Sequence, residues 1–469
     1  MITSKIKNIA TKYPENIAYQ VNEKTITYKD LWAKATYYGE ILKYQGSDPV
    51  IIYGDKSLDV VIAILSCLIT SRTYIPIGTC TPKERLLKII EQTNSSLILT
   101  DIDLDIKNID ICSLANLSNF KHSKTPFSIS NDIAYIIFTS GSTGNPKGVP
   151  ISYNNLNNFV SWISNLNPLK DYQNVKVLNQ ASFSFDLSVA DFYYALCNGH
   201  TLIAYDTCKK DDFFKLYDIM KAINVAVMTP TLMKLCLLNK EFTTANYHNL
   251  KCIYFCGEPL EKELVQKIFQ AFPNLNIINA YGPTEATSAI SAINITSKML
   301  ETEDLLPVGV ITNTATEVDI VSGEIVLKGS SVFSGYLGNI TGGYYKENDV
   351  NCFKTGDLGY IKDNKLYCQG RVDRQVKYLG YRIELDDIER NILTLNGVTS
   401  CAVIAKRDTK NIVKSITAFV VGNNIEKETL KKELSLKIPG YMMPKTIKII
   451  PQMPINQNGK IDRKELEKL

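Results

Sequence analysis

Apolar segments typical of buried strands alternate with helical segments between residues 50 and 285, and this alternation constrains the fold more than any other feature. The strand segments are rich in β-branched and aromatic residues, which indicates burial on both faces. Such alternation predicts an α/β fold with largely parallel sheets, in which functional groups lie at the carboxyl ends of strands. The predicted strands are residues 50–53, 96–100, 135–138, 201–204, 225–228 and 252–255, and the predicted helices between them include 154–165, 187–196 and 262–272.

The rest of the chain divides into a β-rich region and a small C-terminal unit. Short strands and turns are predicted from Leu306 to Tyr367, as a β-rich subdomain of a large N-terminal domain over residues 1–372. After Asp373 the pattern becomes helix, strands, helix and strand, which predicts a small α+β domain over residues 373–469. With 469 residues the chain is too long for a single hydrophobic core, which agrees with this division.

Composition and charge exclude several classes of protein. The net charge of +4 is small beside 52 basic and 48 acidic residues, so bulk electrostatics do not support a nucleic-acid partner. Three histidines and the lack of a Cys-x-x-Cys pair argue against zinc sites and histidine-based triads. The N-terminus lacks a signal-peptide core, and the apolar run from Val60 to Thr70 is too short to span a bilayer. We therefore expect a cytoplasmic protein with reduced thiols that is not embedded in a membrane.

The segment Phe138–Gly148 follows a predicted strand and has the composition of a phosphate-binding loop. Gly141 and Gly144 allow the backbone to turn so that successive N–H groups point into one concavity, and Lys147 adds a positive charge. The spacing does not fit a Walker A loop, because glycine rather than Ser or Thr follows Lys147, and it does not fit Gly-x-Gly-x-x-Gly. A polar surface turn is the alternative. The hydroxyl donors of the loop are Thr139, Ser140, Ser142 and Thr143.

Three further segments contain side chains that suit a nucleotide site. In Asn279–Glu285 a predicted strand ends in a Gly-Pro turn, which we expect to expose an aromatic face, a hydroxyl and a carboxylate together. A tight turn with a solvated glutamate is the alternative. Asp357 can accept both hydroxyls of a ribose and Arg371 can hold phosphate oxygens, although each is also typical of a surface turn. Lys460 stands on an Asn-Gly turn from which it can reach into another domain, although most terminal lysines are solvent-exposed.

Taken in order, these four segments resemble the adenylate-forming superfamily of acyl-CoA synthetases, luciferases and the adenylation domains of nonribosomal peptide synthetases. The resemblance runs from Leu31 to Arg463 and includes Gly323–Val326 and Gly380–Glu384. It implies that ATP and a carboxylic acid give an acyl adenylate and pyrophosphate, after which a thiol takes the acyl group. Because a carboxylate must attack an anionic phosphate, catalysis is expected to depend on positioning and charge neutralisation.

The resemblance also implies a role for each matching residue. Lys460 would bridge the substrate carboxylate and the α-phosphate, and Asp373 would be the hinge about which a mobile C-terminal domain rotates. Thr284 would contact the α-phosphate, Glu285 would bind Mg²⁺ and Asp357 would bind the ribose. The β- and γ-phosphates would be held by Thr139, Ser140, Gly141, Ser142, Thr143, Gly144 and Lys147. The rest of the ATP site would be Gly257, Glu258 and Tyr281, which frame the adenine, with Asn279, Ala280, Gly282, Pro283 and Arg371. The catalytic residues would be Lys147, Thr284 and Lys460.

Asp186 lies in a segment, Ser182–Val189, that resembles the place where amino-acid-activating members bind the substrate ammonium with an aspartate. A buried carboxylate needs a cationic partner, which favours an α-amino acid over a fatty or aryl acid. The alternative is that Asp186 caps the helix predicted to begin at Leu187.

Among amino-acid activators, the chain is most similar to the D-alanine–D-alanyl carrier protein ligases. In that family a cysteine before Gly-Glu lines a small pocket and favours the D-enantiomer; Cys256 matches it, although a small buried hydrophobe is the alternative. The family usually has Met at 190, Val at 288 and Gly at 200. Ala190 and Ser288 would make the pocket roomier and more polar, and the segment from Ile311 to Gly323 is shortened. The similar stretches are Leu178–Ala181, Phe255–Glu258 and Cys368–Arg371.

Two functions follow from the resemblance. The first is adenylation of a small amino acid, with D-alanine favoured, and its transfer to the phosphopantetheine thiol of a separate carrier protein, as in teichoic acid D-alanylation. The second is a free-standing nonribosomal peptide synthetase adenylation enzyme for another small amino acid. A catalytically silent nucleotide-binding relative is disfavoured, because Lys460, Glu285 and Asp357 are all present. The expected substrate-binding residues are Asp186, Cys256, Ser288 and Lys460.

Overall fold

The computed structural model describes residues 2–107, 109–114, 132–141, 144–206, 213–310, 315–340, 342–408, 412–455 and 461–469. Backbone contacts divide the chain into two compact units. Unit 1 consists of Met1–Gly78, Thr93–Ile137 and Val149–Val372, and unit 2 consists of Thr79–Gln92, Phe138–Gly148 and Asp373–Leu469. The sequence-based division into domains differs in assigning residues 79–92 and 138–148 to the first domain, and it stays a prediction.

The helices and strands are numbered in chain order. The helices are α1 Ile2–Lys12, α2 Tyr28–Leu42, α3 Leu58–Ile69, α4 Lys83–Thr93, α5 Tyr153–Ser164, α6 Leu187–Asn198, α7 Phe213–Met220, α8 Pro230–Cys236, α9 Lys262–Ala271, α10 Ser297–Thr302, α11 Leu385–Leu393, α12 Lys427–Ser435 and α13 Arg463–Glu467. The strands are β1 Ile17–Val21, β2 Lys24–Thr27, β3 Val50–Tyr53, β4 Tyr74–Ile77, β5 Leu97–Leu99, β6 Asp110–Cys112, β7 Ile133–Thr139, β8 Lys147–Ser152, β9 Lys176–Asn179, β10 Thr201–Ala204, β11 Val225–Met228, β12 Cys252–Phe255, β13 Asn276–Tyr281, β14 Ser291–Ile295, β15 Gly309–Val310, β16 Thr316–Val321, β17 Glu324–Gly329, β18 Tyr344–Glu347, β19 Val350–Lys362, β20 Lys365–Arg371, β21 Gln375–Tyr378, β22 Tyr381–Glu384, β23 Val398–Arg407, β24 Val413–Gly422 and β25 Thr446–Ile449.

Unit 1 contains a 14-stranded sheet in the order β16-β17-β19-β20-β15-β14-β13-β12-β11-β9-β10-β1-β2, with β18 paired to β19. The neighbouring strands β1, β10, β9, β11, β12 and β13 are parallel, and the pairs from β13 to β16 are antiparallel. Strands β11 and β12 are buried along their whole length, as parallel strands covered on both faces require. The predicted α/β class is therefore confirmed, and the region predicted to be β-rich contains β15 to β20.

A second sheet of unit 1 has the order β6-β5-β3-β4-β7-β8. Its strands β6, β5, β3 and β4 are parallel. The apolar run from Val60 to Thr70 forms most of α3, and Ser57 caps this helix by accepting a hydrogen bond from the Val60 amide. Among the described residues, we find no helix with the length and apolarity that a bilayer crossing requires.

Unit 2 combines the two-stranded sheet β21-β22 with the three-stranded sheet β23-β24-β25. The helices α11 and α12 pack on this second sheet through a core that includes Ile388, Val403, Ala418 and Leu434. The predicted helix, strands, helix and strand correspond to α11, β23 with β24, α12 and β25, whereas β21, β22 and α13 were not predicted. Residues 138–148, which join β7 to β8, belong to the same unit.

Candidate active site

Asp186 lies immediately before α6, yet its side chain makes no capping hydrogen bond to that helix. Instead, its Oδ2 accepts a 2.6 Å hydrogen bond from Oγ1 of Thr284. Asp186 follows the carboxyl end of β9, and Thr284 follows the carboxyl end of β13, so both belong to the edge where parallel sheets bind ligands. The helix-cap interpretation is therefore wrong, and two predicted site residues lie together.

Cys256 and Ser288 form a second contact between predicted substrate residues. The Cys256 thiol follows β12 and donates to the backbone carbonyl of Ser288 at 3.8 Å. Thr287 and Ser288 have φ angles of +60° and +74°, a left-handed conformation that side-chain-bearing residues rarely adopt. Oγ1 of Thr287 donates to the Ser331 carbonyl at 3.2 Å and helps to hold this backbone. Such strain is typical of functional sites, because the surrounding structure must stabilise it.

Tyr281, Asp357 and Arg371 form a connected group on the nucleotide side. The Tyr281 hydroxyl donates to Oδ2 of Asp357 at 2.7 Å, and Nη1 of Arg371 lies 2.6 Å from Oδ1 of the same carboxylate. Arg371 also donates to the Thr355 carbonyl, so its guanidinium orients Asp357. Burial, followed by the charge of Asp357, raises the pKa of Tyr281 well above its ordinary value. The expectation that Tyr281 exposes its ring is wrong, since only 4% of the residue is exposed.

Glu285, the predicted Mg²⁺ ligand, is completely buried. Its Oε1 accepts a 2.5 Å hydrogen bond from the hydroxyl of Tyr336, a residue that the sequence analysis did not identify. The alternative of a solvated glutamate is therefore wrong. The described residues contain no group of three or more His, Cys, Asp or Glu that could hold a metal. One carboxylate nevertheless suits Mg²⁺, which commonly takes one or two carboxylates and completes its shell with water and phosphate oxygens.

The remaining predicted residues of this side shape the turns around the site. Asn279 donates to the Pro307 carbonyl at 2.8 Å, and Glu258 accepts from the Thr231 amide at 2.9 Å. A side chain at Gly282 would place its Cβ 2.5 Å from Cα of Ala289, so only glycine fits there. These contacts give Asn279, Glu258 and Gly282 positioning roles. Ala280 lies in β13, and Gly257 and Pro283 lie in the turns that follow β12 and β13.

The loop predicted to bind phosphate belongs to unit 2, where the Ser140 hydroxyl and the Gly141 amide have protein partners. Oγ of Ser140 donates to the Arg382 carbonyl and accepts from the Glu384 amide, both at 3.0 Å. The Gly141 amide donates to Oδ2 of Asp387 at 3.4 Å, so a carboxylate already accepts from one of the N–H groups expected to bind phosphate. Of the predicted residues, Ser142, Thr143 and Lys460 lie outside the described residues.

Two basic side chains surround the same loop. Arg85 donates to the Thr139 carbonyl at 3.4 Å and pairs with Asp387 at 3.6 Å. Lys88 donates to the Gly144 carbonyl at 3.3 Å. Burial raises the pKa of Asp387, and the charge of Arg85 opposes this shift.

Two further predicted residues belong to unit 2. Lys147 begins β8, and Asp373 accepts a hydrogen bond from the Gln375 amide at 3.2 Å.

The family model for AMP-binding enzymes matches residues 6–337. The chain belongs to the AMP-binding enzyme family. A second model, for the C-terminal domain of AMP-binding enzymes, matches residues 387–460. The superfamily resemblance inferred from the motifs is thereby confirmed.

Curated relatives within this family match nearly the whole chain. It is 37% identical over 513 residues to the D-alanine–D-alanyl carrier protein ligase of Listeria welshimeri, with 99% of each chain covered. It is 34% identical over 492 residues to the protein of the same name from Lactococcus lactis, covering 99% of this chain and 98% of the relative.

Solved structures agree with the fold of an AMP-binding enzyme. The Vibrio cholerae adenylation domain AlmE, in complex with glycyl-adenosine-5'-phosphate, superposes with a TM-score of 0.84 at 23% identity, covering 100% of this chain and 97% of that one. The o-succinylbenzoate CoA synthetase of Bacillus subtilis gives a TM-score of 0.84 at 20% identity, covering 99% and 98%. At these identities the likeness shows the fold alone.

The sequence analysis missed a buried polar network beside the segment that contains Asp186. Nζ of Lys56 donates to Oδ1 of Asn179 at 2.6 Å and to the Ala181 carbonyl at 2.7 Å, and it lies 4.4 Å from the centre of the Phe183 ring. Lys56 therefore holds the chain between β9 and α6 at three points. The position of Lys56 shortly after β3, at a strand's carboxyl end, was the only sequence signal for it.

Asp191 of this AMP-binding enzyme completes the network. Its Oδ1 accepts from Nδ2 of Asn179 at 2.8 Å. Burial raises the pKa of Asp191 to about 8, while the charge of Lys56 and the hydrogen bond from Asn179 act in the opposite direction. The network thus links α6, β9 and the residues after β3 around one polar centre.

Proposed function

We propose that this enzyme adenylates D-alanine with ATP and transfers the alanyl group to the phosphopantetheine thiol of a separate carrier protein. The contact between Thr284 and Asp186 is the structural observation on which the proposal depends, because it leaves the carboxylate at the strand ends instead of on the helix terminus. The names of the curated relatives, together with near-complete coverage of both chains, support the choice of substrate and acceptor.

Asp186 binds the ammonium of the amino acid in this proposal. A cation beside a buried carboxylate compensates for the loss of its hydration, which a fatty acid could not do. Cys256 and Ser288 line the side-chain pocket, since their contact at 3.8 Å joins the turns that follow β12 and β13. Lys56 positions the chain that leads to Asp186.

The nucleotide is held at its ribose, its phosphates and its adenine. Asp357, oriented by Arg371 and Tyr281, accepts the ribose hydroxyls. Thr284 contacts the α-phosphate, and Glu285 would hold Mg²⁺, which when bound neutralises charge on the phosphate oxygens. The β- and γ-phosphates are bound by Thr139, Ser140, Gly141, Ser142, Thr143, Gly144 and Lys147. Gly257 and Glu258 frame the adenine, and Asn279, Ala280, Gly282 and Pro283 complete the ATP site.

The reaction has two steps. In the first, a carboxylate oxygen of D-alanine attacks the α-phosphorus, a new O–P bond forms, and the bond to the bridging oxygen breaks to release pyrophosphate. In the second, the carrier thiolate attacks the alanyl carbonyl, a thioester forms, and AMP leaves. Lys460 bridges the carboxylate and the α-phosphate in the first step, and rotation about Asp373 removes it for the second.

Pyrophosphate exchange across D- and L-amino acids tests the first step. We expect D-alanine to support more exchange than L-alanine or glycine, and equal or lower exchange with D-alanine would contradict the proposal. A preference for a different small amino acid would favour the free-standing peptide-synthetase alternative. The cytosolic location expected from the sequence stays a prediction.

The variant Asp373→Pro tests the hinge. Because proline fixes the backbone, we expect the variant to adenylate while thioester formation on a carrier protein falls. Equal loss in both steps would argue against a hinge at this position.

A further inference from the structure

Three buried hydroxyl groups have no hydrogen-bond partner among the described residues and lie around the amino-acid side of the site. They are Oγ of Ser288 and the phenolic oxygens of Tyr135 and Tyr254. All three residues are at most 2% exposed. Most buried polar groups in proteins are hydrogen-bonded, because an unpaired one loses its hydration without compensation. Three such groups near one carboxylate therefore need a chemical explanation.

The chain brings Ser288 and Tyr254 close to the contacts that Asp186 and Cys256 make. Ser288 lies four residues after Thr284, and Thr284 donates a hydrogen bond to Asp186. The carbonyl of Ser288 accepts a hydrogen bond from the Cys256 thiol. Tyr254 lies two residues before Cys256 along the line of β12, so their side chains leave the strand on the same side. The negative charge of Asp186 contributes to raising the pKa of both Tyr135 and Tyr254, after the larger effect of burial.

The face of α6 beside Asp186 carries a small side chain one turn into the helix. Ala190 follows Asp186 by four residues, which places it one helical turn farther on the same face. It is completely buried, and its methyl group is the whole side chain at that position. One turn farther, the Tyr193 hydroxyl is paired with that of Tyr74 at 2.8 Å. The Tyr135 ring lies beside this pair, with its centroid 5.7 Å from that of Tyr74.

We infer that the amino-acid pocket accepts a serine-sized substrate whose side-chain hydroxyl hydrogen-bonds to Ser288 and the neighbouring tyrosines, an inference that rests on the proposed function. A hydroxyl both donates and accepts, so it can pair with these groups, whereas the terminal methyl of 2-aminobutyrate cannot. A purely apolar pocket discriminates weakly against an added hydroxyl, but a pocket with polar groups disfavours a substrate that leaves them unpaired.

Serine and 2-aminobutyrate provide the matched pair of substrates, because the side chain of serine ends in a hydroxyl where that of 2-aminobutyrate ends in a methyl group. Pyrophosphate exchange is measured with both enantiomers of alanine, serine and 2-aminobutyrate. We expect kcat/KM for serine to exceed that for 2-aminobutyrate of the same configuration by about tenfold. Equal values, or a preference for 2-aminobutyrate, would overturn the inference, and buried water would then be the partner of the hydroxyls.

Two variants test whether the buried hydroxyls cause the preference for serine over 2-aminobutyrate. Ser288→Ala should lower the ratio of serine to 2-aminobutyrate at least about threefold, and Tyr254→Phe provides a second test if the first variant does not fold. Ser66→Ala is the control, because Ser66 is buried in α3 and its hydroxyl donates to the Ile62 carbonyl. A ratio that stays unchanged in both folded site variants would contradict the inference.

Two different results separate failure of this inference from failure of the proposed function. Exchange with D-alanine but no preference for serine over 2-aminobutyrate overturns this inference and leaves the proposed function standing. Exchange with none of these amino acids overturns the proposed function itself.

Discussion

The amino-acid side of unit 1 and the loop of residues 138–148 in unit 2 are built in opposite ways. On the amino-acid side, side chains from distant parts of the chain meet, as Asp186 and Thr284 do across 98 residues. In the loop, neighbouring residues provide glycines, hydroxyls and backbone amides within one short segment. A contiguous loop suits phosphates, which every nucleotide shares, whereas selection of an acid requires side chains that only the folded sheet brings together. We therefore expect changes in the two regions to affect different substrates.

Lys460→Ala should have the largest effect, because Lys460 is proposed to contact both the amino-acid carboxylate and the α-phosphate of ATP. Loss of a cation that neutralises the developing charge should lower the rate of adenylation by about a thousandfold or more. ATP binding should be retained, since the other proposed ATP residues are unchanged. Pyrophosphate exchange and equilibrium binding of ATP measure the two effects. Full exchange by the variant would remove the role given to Lys460.

Asp186→Ala tests the amino-acid side alone. Removal of the ammonium partner should lower kcat/KM for the amino acid by about a hundredfold, while the KM for ATP changes little. Asp186→Asn is the matched control for shape, and thermal unfolding of each variant checks the fold. An unchanged requirement for the amino acid would contradict ammonium binding by Asp186.

The pKa of Asp191 predicts how stability depends on pH. Burial raises the pKa of this carboxyl from 3.8 to about 8, so between these values the folded state keeps a proton that the unfolded state has lost. The contribution of Asp191 is therefore fully present below about pH 4 and is lost as the pH rises through about 8. From pH 6 to pH 8 this corresponds to on the order of 2 kcal/mol.

Asp191→Asn should remove that part of the pH dependence while keeping an acceptor for Asn179. Denaturant unfolding of both proteins between pH 6 and pH 9 measures it. Parallel curves for the two proteins would show that Asp191 does not titrate as the structure indicates.

Ser140→Ala should have the smallest effect of these variants. It tests whether a change in the loop affects ATP without affecting the choice of amino acid. The hydroxyl holds the Arg382 carbonyl and the Glu384 amide, so its loss should raise the KM for ATP about threefold to tenfold. The ratio of exchange with serine to exchange with 2-aminobutyrate should not move, because the loop does not contact the amino-acid side chain in this account. A changed ratio would show that the two regions are not independent.

The sequence predicted most of the parallel core and the segments around both regions. The strands β10, β11 and β12 and the helix α6 lie where local patterns place them, because their apolar runs are uninterrupted. Local patterns cannot show which side chains pair across the fold. The Tyr281 hydroxyl pairs with Asp357, 76 residues away, and the Lys56 network joins residues 123 positions apart. The amide of Gly141 and its acceptor Asp387 are 246 positions apart.

The same distinction explains the outcome at Asp186. Its segment identified the residue, but a carboxylate before a helix is equally typical of a cap. The lack of a capping bond and the hydrogen bond from Thr284 distinguish the two interpretations, and the Thr284 contact depends on β9 and β13 ending at the same edge of the sheet.

The decisive experiment is ATP–pyrophosphate exchange with purified enzyme and D-alanine. We expect exchange that depends on D-alanine, exceeds that with L-alanine or glycine, and falls steeply in Asp186→Ala. Exchange with D-alanine no greater than with L-alanine or glycine would contradict it.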